Sequence, residues 1–331
     1  MRQRSASYRR RGPDRRSAFA RALDDASAAV HRQIRSRRSV SVAAAAAVPV
    51  LVGLTFWRKR IGLHPAATLT LGCGIPLGAA IAMPPGRARY AAIAAGYMYL
   101  FKVSWELPYD HPQRLRERLL IDAPIRFDTW VGGGVPAGLR LQRALRTPGE
   151  VSALDIAVTL VYGSWFVPHL LLGYLLVRHE SYVPRAGGRL SAAYHLTTPF
   201  YWLWPEAPPW WASEKEGRMG GELVRVPRLV VCKLLDRPPP GDGSVGGNPW
   251  GSMPSDHVSS AVITARGLAE IGPLYGVLGW TYVAAASFAV VYLGEHYVAD
   301  VLAGLAVAEI VHQGEPLAAP FVRAVARAVA T

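Results

Sequence analysis

The chain reads as an all-α, polytopic membrane protein with about eight transmembrane helices, and three observations predict this. Hydrophobic residues make up 51% of the 331-residue sequence against 18% charged. They are gathered into blocks of about 15–24 residues with few charges, the length a helix needs to cross about 30 Å of hydrocarbon at about 1.5 Å per residue. The basic residues gather at the ends of these blocks, the pattern that fixes orientation in a bilayer.

In chain order the blocks are 40–57, 65–83, 90–105, 154–177, 190–205, 257–272, 274–293 and 297–313, several of them short or interrupted by proline. Residues 1–39 precede them as a basic tail, with twelve arginines before residue 39 against Asp14, Asp24 and Asp25. A basic tail directly ahead of an apolar block suits the cytoplasmic surface of a membrane with anionic lipid rather than nucleic acid. No small-residue cleavage site follows the first block, so it does not read as a removed signal peptide. Residues 40–89 form a transmembrane hairpin closed by the break Pro84-Pro85-Gly86. Residues 90–313 hold six spans and two long loops, 106–153 and 206–256. Residues 314–331 are a short C-terminal tail.

Arginine outnumbers lysine 33 to 4, a bias that fits a GC-rich bacterial genome and hence a bacterial plasma membrane. Cys73 falls inside a block and Cys232 in a loop, which leaves neither a disulfide framework nor a thiolate metal site. With the N-terminus cytoplasmic, Arg87, Arg89, Arg178, Arg185 and Arg189 fall inside, and the outer loop 206–256 is balanced, six basic residues against seven acidic. Arg58-Lys59-Arg60 and the mildly basic loop 106–153 fit this orientation less well. In either orientation, the end of the fifth block, the start of the sixth and the turn between the seventh and eighth share one membrane face.

That face carries the chemistry. Ser252-Met253-Pro254-Ser255-Asp256-His257 opens the sixth block, with Pro254 expected at the first helical position, where its missing N–H costs nothing. Gly294-Glu295-His296-Tyr297-Val298-Ala299-Asp300 opens the eighth. His296 and Asp300 are four apart, hence on one helix face. A carboxylate there fixes the imidazole tautomer and leaves the other ring nitrogen free as a nucleophile. His257 can protonate a departing alkoxide, and the amides around Ser255 suit an anion at a helix N-terminus. His257, His296, Asp256 and Asp300 could also surround a cation. Without an H-E-x-x-H or clustered-carboxylate pattern, a metal-free and cofactor-free site is expected.

P-S-x-H followed at a distance by H-x-x-x-D resembles the second and third signatures of the type 2 phosphatidic acid phosphatase superfamily. Pro205-Glu206-Ala207-Pro208-Pro209-Trp210, Asn248-Pro249-Trp250-Gly251-Ser252-Met253 and His296-Tyr297 with Asp300 through Gly304 resemble its inositol phosphorylceramide synthase branch. The similarity covers roughly residues 90–313. It implies a six-helix core open to the extracytoplasmic face, with His296 as the nucleophile forming a phosphohistidine, Asp300 its orienter and His257 the general acid and base. Ser255, Lys233, Arg237, Arg228 and Tyr297 are the implied phosphate- and substrate-binding residues. Two departures stand out. The first signature places a lysine seven residues before Arg-Pro, whereas Lys233 is four before Arg237. The third begins Ser-Arg, whereas Ala289-Val290 stand here, so other cations must meet the phosphate; Arg218, Arg225 and Lys102 join the candidates.

His169 and His195 read as packing or hydrogen-bonded helix residues, Arg266 and Glu270 as an i,i+4 pair, and Trp202, Trp204, Trp210 and Trp211 first as an interfacial belt and alternatively as a lining of the route by which lipid enters. The expected activity is transfer of inositol phosphate or a similar headgroup from a lipid-linked phosphate to a lipid alcohol. The alternatives are a lipid or polyprenyl phosphate phosphatase and, outside catalysis, a transporter or flippase, which would place its polar residues near the bilayer midplane.

Overall fold

A computed structural model describes residues 38–84, 86–165, 167, 170, 183–236 and 247–330. Nearly all of the basic tail, most of the fourth block beyond residue 165, and the segment carrying Arg237 lie outside the described residues, as do His169 and Pro85.

Among the described residues every regular element is helical, and the extended backbone is limited to two isolated bridges. The N-terminal hairpin is α1 (Arg38–Phe56), the short α2 (Arg58–Ile61) and α3 (Pro65–Ala82). Local sequence sets the start of α3: the His64 ring accepts the Ala66 N–H, and Pro65 occupies the first turn, where no backbone donor is lost. Then come α4 (Arg87–Glu106), α5 (Pro112–Arg116), α6 (Asp122–Val131), α7 (Ala137–Leu145) and α8 (Ala153–Gly163). A reciprocal capping box between Ser152 and Asp155 starts α8, satisfying two end donors at once. The chain continues through α9 (Val183–Leu203), α10 (Pro209–Glu214), α11 (Val226–Leu234), α12 (Asp256–Ile271), α13 (Pro273–Tyr292) and α14 (Val298–Ala330). A helix overlaps each of the eight predicted blocks, and α14 runs on through the expected C-terminal tail to Ala330.

Three of these helices, α1, α3 and α13, are long and apolar enough to cross a membrane. Their outward faces carry Val42, Val50, Leu77, Leu274 and Val277, a surface that water would not favour and lipid does. The other predicted spans are helical but less apolar or shorter, because their faces are spent on one another and on charge. The main core joins α9, α12, α13 and α14 through Ala193, Val258, Ala261, Val262, Ala265, Val290 and Ala308.

At the end of this bundle away from the histidines, Arg189 on α9 reaches Glu270 on α12 at 2.8 Å and Glu315 on α14 at 2.6 Å. Arg266 pairs with Glu309. Where an Arg266–Glu270 pair is expected, each residue instead has a partner on a different helix, Arg266 on α14 and Glu270 on α9.

At the other end the two long loops are knitted together. Leu120 N–H donates to Pro205 O at 2.9 Å, Ala207 N–H to Leu120 O at 3.0 Å, and Glu206 N–H to Trp250 O at 2.9 Å. Gln142 on α7 donates to Val224 O and Tyr292 O and accepts from Val224 N–H. Asp128 on α6 accepts the Val298 N–H at 2.9 Å, placing a carboxylate at the start of α14, where the helix dipole favours it. Burial raises the Asp128 carboxyl above its usual range, against the three backbone donors that it accepts. The loops thus fix the turn between α13 and α14 from above.

Candidate active site

The turn from Leu293 to Tyr297 presents His296. Gly294 has φ +78, and a Cβ there would come within 2.7 Å of Leu223 and 3.1 Å of the Val224 carbonyl, so only glycine lets the loop close over this turn. The amides of Glu295 and His296 both donate to Val290 O at 3.0 Å. Ala289 and Val290, which replace the superfamily's Ser-Arg, are buried, and Val290 belongs to the main apolar core. A guanidinium at 290 would have to be solvated there by partners the core does not offer.

Asp300 is fully buried at the centre of the site. Its Oδ2 accepts from the Ser252 hydroxyl at 2.6 Å, from Tyr297 N–H at 3.0 Å and from His296 Nδ1 at 3.0 Å. Because the carboxylate can only accept, Nδ1 carries the proton, and Nε2 is left with its lone pair. The Asp300 carbonyl in turn accepts the Ser255 N–H at 3.0 Å. Gly304, one turn further along α14, permits this contact: a Cβ there would lie 2.6 Å from Ser255 O.

His257, on the first turn of α12, faces His296 with ring centroids 5.8 Å apart. Its ring is stacked on Tyr162 at 4.6 Å and tilted against Trp165 at 5.3 Å, and Trp165 Nε1 donates to Ser260 Oγ at 2.9 Å. The neighbouring Asp256 accepts the Tyr201 hydroxyl at 2.5 Å, and both residues line the same cavity as the two imidazoles.

Both imidazoles line a cavity of 630 Å³. Its walls are aromatic, with Phe101 and Trp105 of α4, Tyr162, Trp165, Tyr201 and Trp210. Its cations, among the described residues, are Lys102 and Arg225. Arg225 binds Glu295 at 2.7 Å and lies 4.6 Å over the Trp210 ring. Burial works against its charge, but the Glu295 carboxylate outweighs burial and raises its pKa. Lys102 pairs with Glu106 at 2.5 Å. The arrangement supplies a nucleophilic nitrogen, an acid–base partner facing it over the same cavity, and charge to meet a phosphate's oxygens.

The structure thus brings His257, His296 and Asp300 together with the candidate cations Arg225 and Lys102, and it places Ser255, Tyr297, Arg228 and Lys233 away from the cavity lining. Ser255 is the residue before α12, buried, with its N–H spent on Asp300 and its hydroxyl turned from the cavity. Pro254 accordingly precedes the helix cap instead of occupying the first helical position. Tyr297 is buried beneath Asp300. Arg228 is held by Glu214 at 2.6 Å, and Lys233 is an exposed residue bonded to Val151 O at 3.0 Å. Neither lines the cavity, because both project from α11 toward its own loop neighbours. Arg218 pairs with Asp122 on the surface. Trp210 is a wall of the site and not part of an interfacial belt, although Trp204 is exposed as a belt residue would be. His195 is hydrogen-bonded within the helices, to Tyr97 and Ser191.

Sequence reasoning missed Ser252, the aromatic wall on His257, and Glu206. Glu206 is buried and bridged to Gly251, and burial and the Asp300 charge raise its carboxyl well above the usual range. A lone acid inside Pro205-Glu206-Ala207-Pro208-Pro209-Trp210, where every neighbour is apolar, was the available signal.

The family model for the PAP2 superfamily matches residues 125–313, which carry both histidines and Asp300. The chain belongs to the PAP2 superfamily, and it is a phosphatase or phosphotransferase acting on phosphate esters. No curated protein and no solved structure matches it. Helix α4, which supplies one wall of the cavity, lies ahead of the matched region.

Proposed function

We propose that the chain is a membrane phosphotransferase that takes a phosphate-bearing headgroup from a lipid, carries it on His296 and passes it to a lipid alcohol. The observation that carries this reading is the position of His296. Its Nδ1 is committed to Asp300 and its other face is toward His257, at the floor of a cavity walled by aromatic rings.

In the first step Nε2 of His296 attacks phosphorus. The P–N bond forms as the P–O bond to the donor breaks, and His257 gives its proton to the departing oxygen. In the second step His257 removes the proton of the acceptor hydroxyl. That oxygen attacks the phosphohistidine, the P–N bond breaks, and His296 is restored. Arg225 and Lys102 take over the charge of the arginine missing at position 290. Aromatic walls and the two knitted loops favour a lipid alcohol over water, since water exclusion is what a transferase needs and a hydrolase does not.

Around this site the reading arranges eight spans, a hairpin at 40–89 and a six-helix core at 90–313, with the basic tail on the cytoplasmic side of a bacterial plasma membrane and the cavity on the outer side. Inositol phosphate is the headgroup that the resemblance points to. Membranes containing the enzyme, given a lipid donor labelled at phosphorus and a panel of lipid alcohols, should move label into a new lipid. The transfer should stop with His257→Ala. Label released mainly as free phosphate across the panel would make the enzyme a phosphatase instead.

A further inference from the structure

Asp300 has two oxygens in very different surroundings. Oδ2 takes three donors, whereas no N–H or hydroxyl among the described residues reaches Oδ1. The same is true of Oε1 of Glu206, and both residues are at most 2% exposed. Glu206 bridges to Gly251, next to Ser252, whose hydroxyl binds Asp300 Oδ2, so the loop sets the Glu206 carboxyl beside Asp300 and each carboxyl acts electrostatically on the other. Two buried carboxylates side by side would repel strongly and leave both oxygens unsatisfied, whereas a single proton between them satisfies both.

The backbone prevents Glu206 from moving away. Its N–H is tied to Trp250 O, and bridges to Leu120 and Gly251 hold it between the two long loops. We propose that Glu206 is a positioning residue of the reaction, a neutral carboxyl that donates its proton to Asp300 Oδ1. It thereby keeps Asp300 an orienter of His296 and not a base. This rests on the reading of His296 as nucleophile. With a fourth donor on the carboxylate, Asp300 has less tendency to take the Nδ1 proton from His296, so positive charge stays on the imidazole as the P–N bond forms. Burial and the Asp300 charge push the Glu206 carboxyl well above its usual range, in agreement with the geometry.

The test has two arms on the purified full-length protein. Infrared difference spectroscopy at neutral pH should show the carbonyl stretch of a protonated carboxylic acid, sensitive to deuterium exchange and absent from Glu206→Gln. In mixed micelles with phosphatidic acid as the probe, Glu206→Leu, which has no donor, should lose about 10–100-fold in kcat with KM nearly unchanged. Glu206→Gln, whose amide still donates, should stay within about threefold of the parent by the same reasoning. A parent spectrum without that band, full activity in Glu206→Leu, or equal loss in both variants would overturn the proposal. If Glu206→Leu does not fold, the spectrum and Glu206→Gln decide the matter alone. A band assigned to Glu206 in a protein whose His296→Ala variant stays active would leave the shared proton standing. It would remove the nucleophile reading and, with it, the positioning role.

Discussion

The bundle of α9, α12 and α14 buries charge at both ends, and the two ends behave differently. At one, Arg189 is enclosed by Glu270 and Glu315, and Arg266 is matched by Glu309. There opposite charges pair across three helices. At the other, Asp300 gathers four polar neighbours on one side of His296, while the far side of the same ring opens on a 630 Å³ cavity. Buried charge alone does not mark a site, since both ends have it. What separates them is a polar network that is satisfied on one side and deliberately left open on the other.

The largest effects should come from the open end. His296→Ala should abolish turnover while the protein still extracts and migrates like the parent, and His257→Ala should cost about 10²–10⁴-fold in kcat. Retention of more than a small fraction of parental activity by purified His296→Ala would erase the distinction between the two ends. Arg225→Ala comes next, with a loss of about 10²–10³-fold, the scale of one preorganised electrostatic contact. Arg225→Lys should recover little, because a point charge cannot both pair with Glu295 and stack on Trp210. Equal activity in Arg228→Ala and Arg225→Ala would show that the phosphate is not met where the cavity places it.

At the closed end, Arg189→Met should lower stability by about 2–3 kcal/mol by removing the ion pairs to Glu270 and Glu315, with kcat unchanged in the folded fraction. A selective drop in kcat would mean that the two ends are coupled. The smallest effect is a slope. Glu206 faces Asp300, Asp128 and Tyr297 and holds its proton well above the unfolded value of about 4.3. Between the unfolded and folded pKa values the native state binds more protons than the unfolded state, so stability falls as pH rises through that window. Glu206→Gln should flatten the fall in thermal midpoint measured in detergent, and parallel curves would contradict the shared proton.

Part of this was legible in one dimension. The His296–Asp300 pairing survives although His296 lies in the turn before α14, because Asp300 sits in the first turn of that helix and its carboxylate reaches back to His296 and Tyr297, and apolar blocks mark helices wherever a helix face meets lipid. Ser252 and Glu206 were not legible. They stand near opposite ends of the loop 206–256, and nothing local encodes that these two stretches meet at Asp300. Which cation faces the cavity was not legible for a related reason: Arg225, Arg228 and Lys233 sit within nine residues on one short segment, and only the fold selects Arg225. Pairing across helices likewise separated Arg266 from Glu270. The count of spans was hardest to read, because helices that pack on one another exchange apolar surface for glycine, arginine and glutamate. Length and hydropathy then single out α1, α3 and α13.

The nucleophile can be tested by catching it. Enzyme mixed with a phosphorus-labelled lipid donor, quenched in alkali within a turnover and digested, should yield one labelled peptide, with the label on His296, stable to base and released by acid. The label should accumulate when acceptor is withheld, discharge into lipid when it is added, and be missing from His296→Ala. Transfer at the full rate with no labelled histidine, or with the label on another residue, would contradict the account.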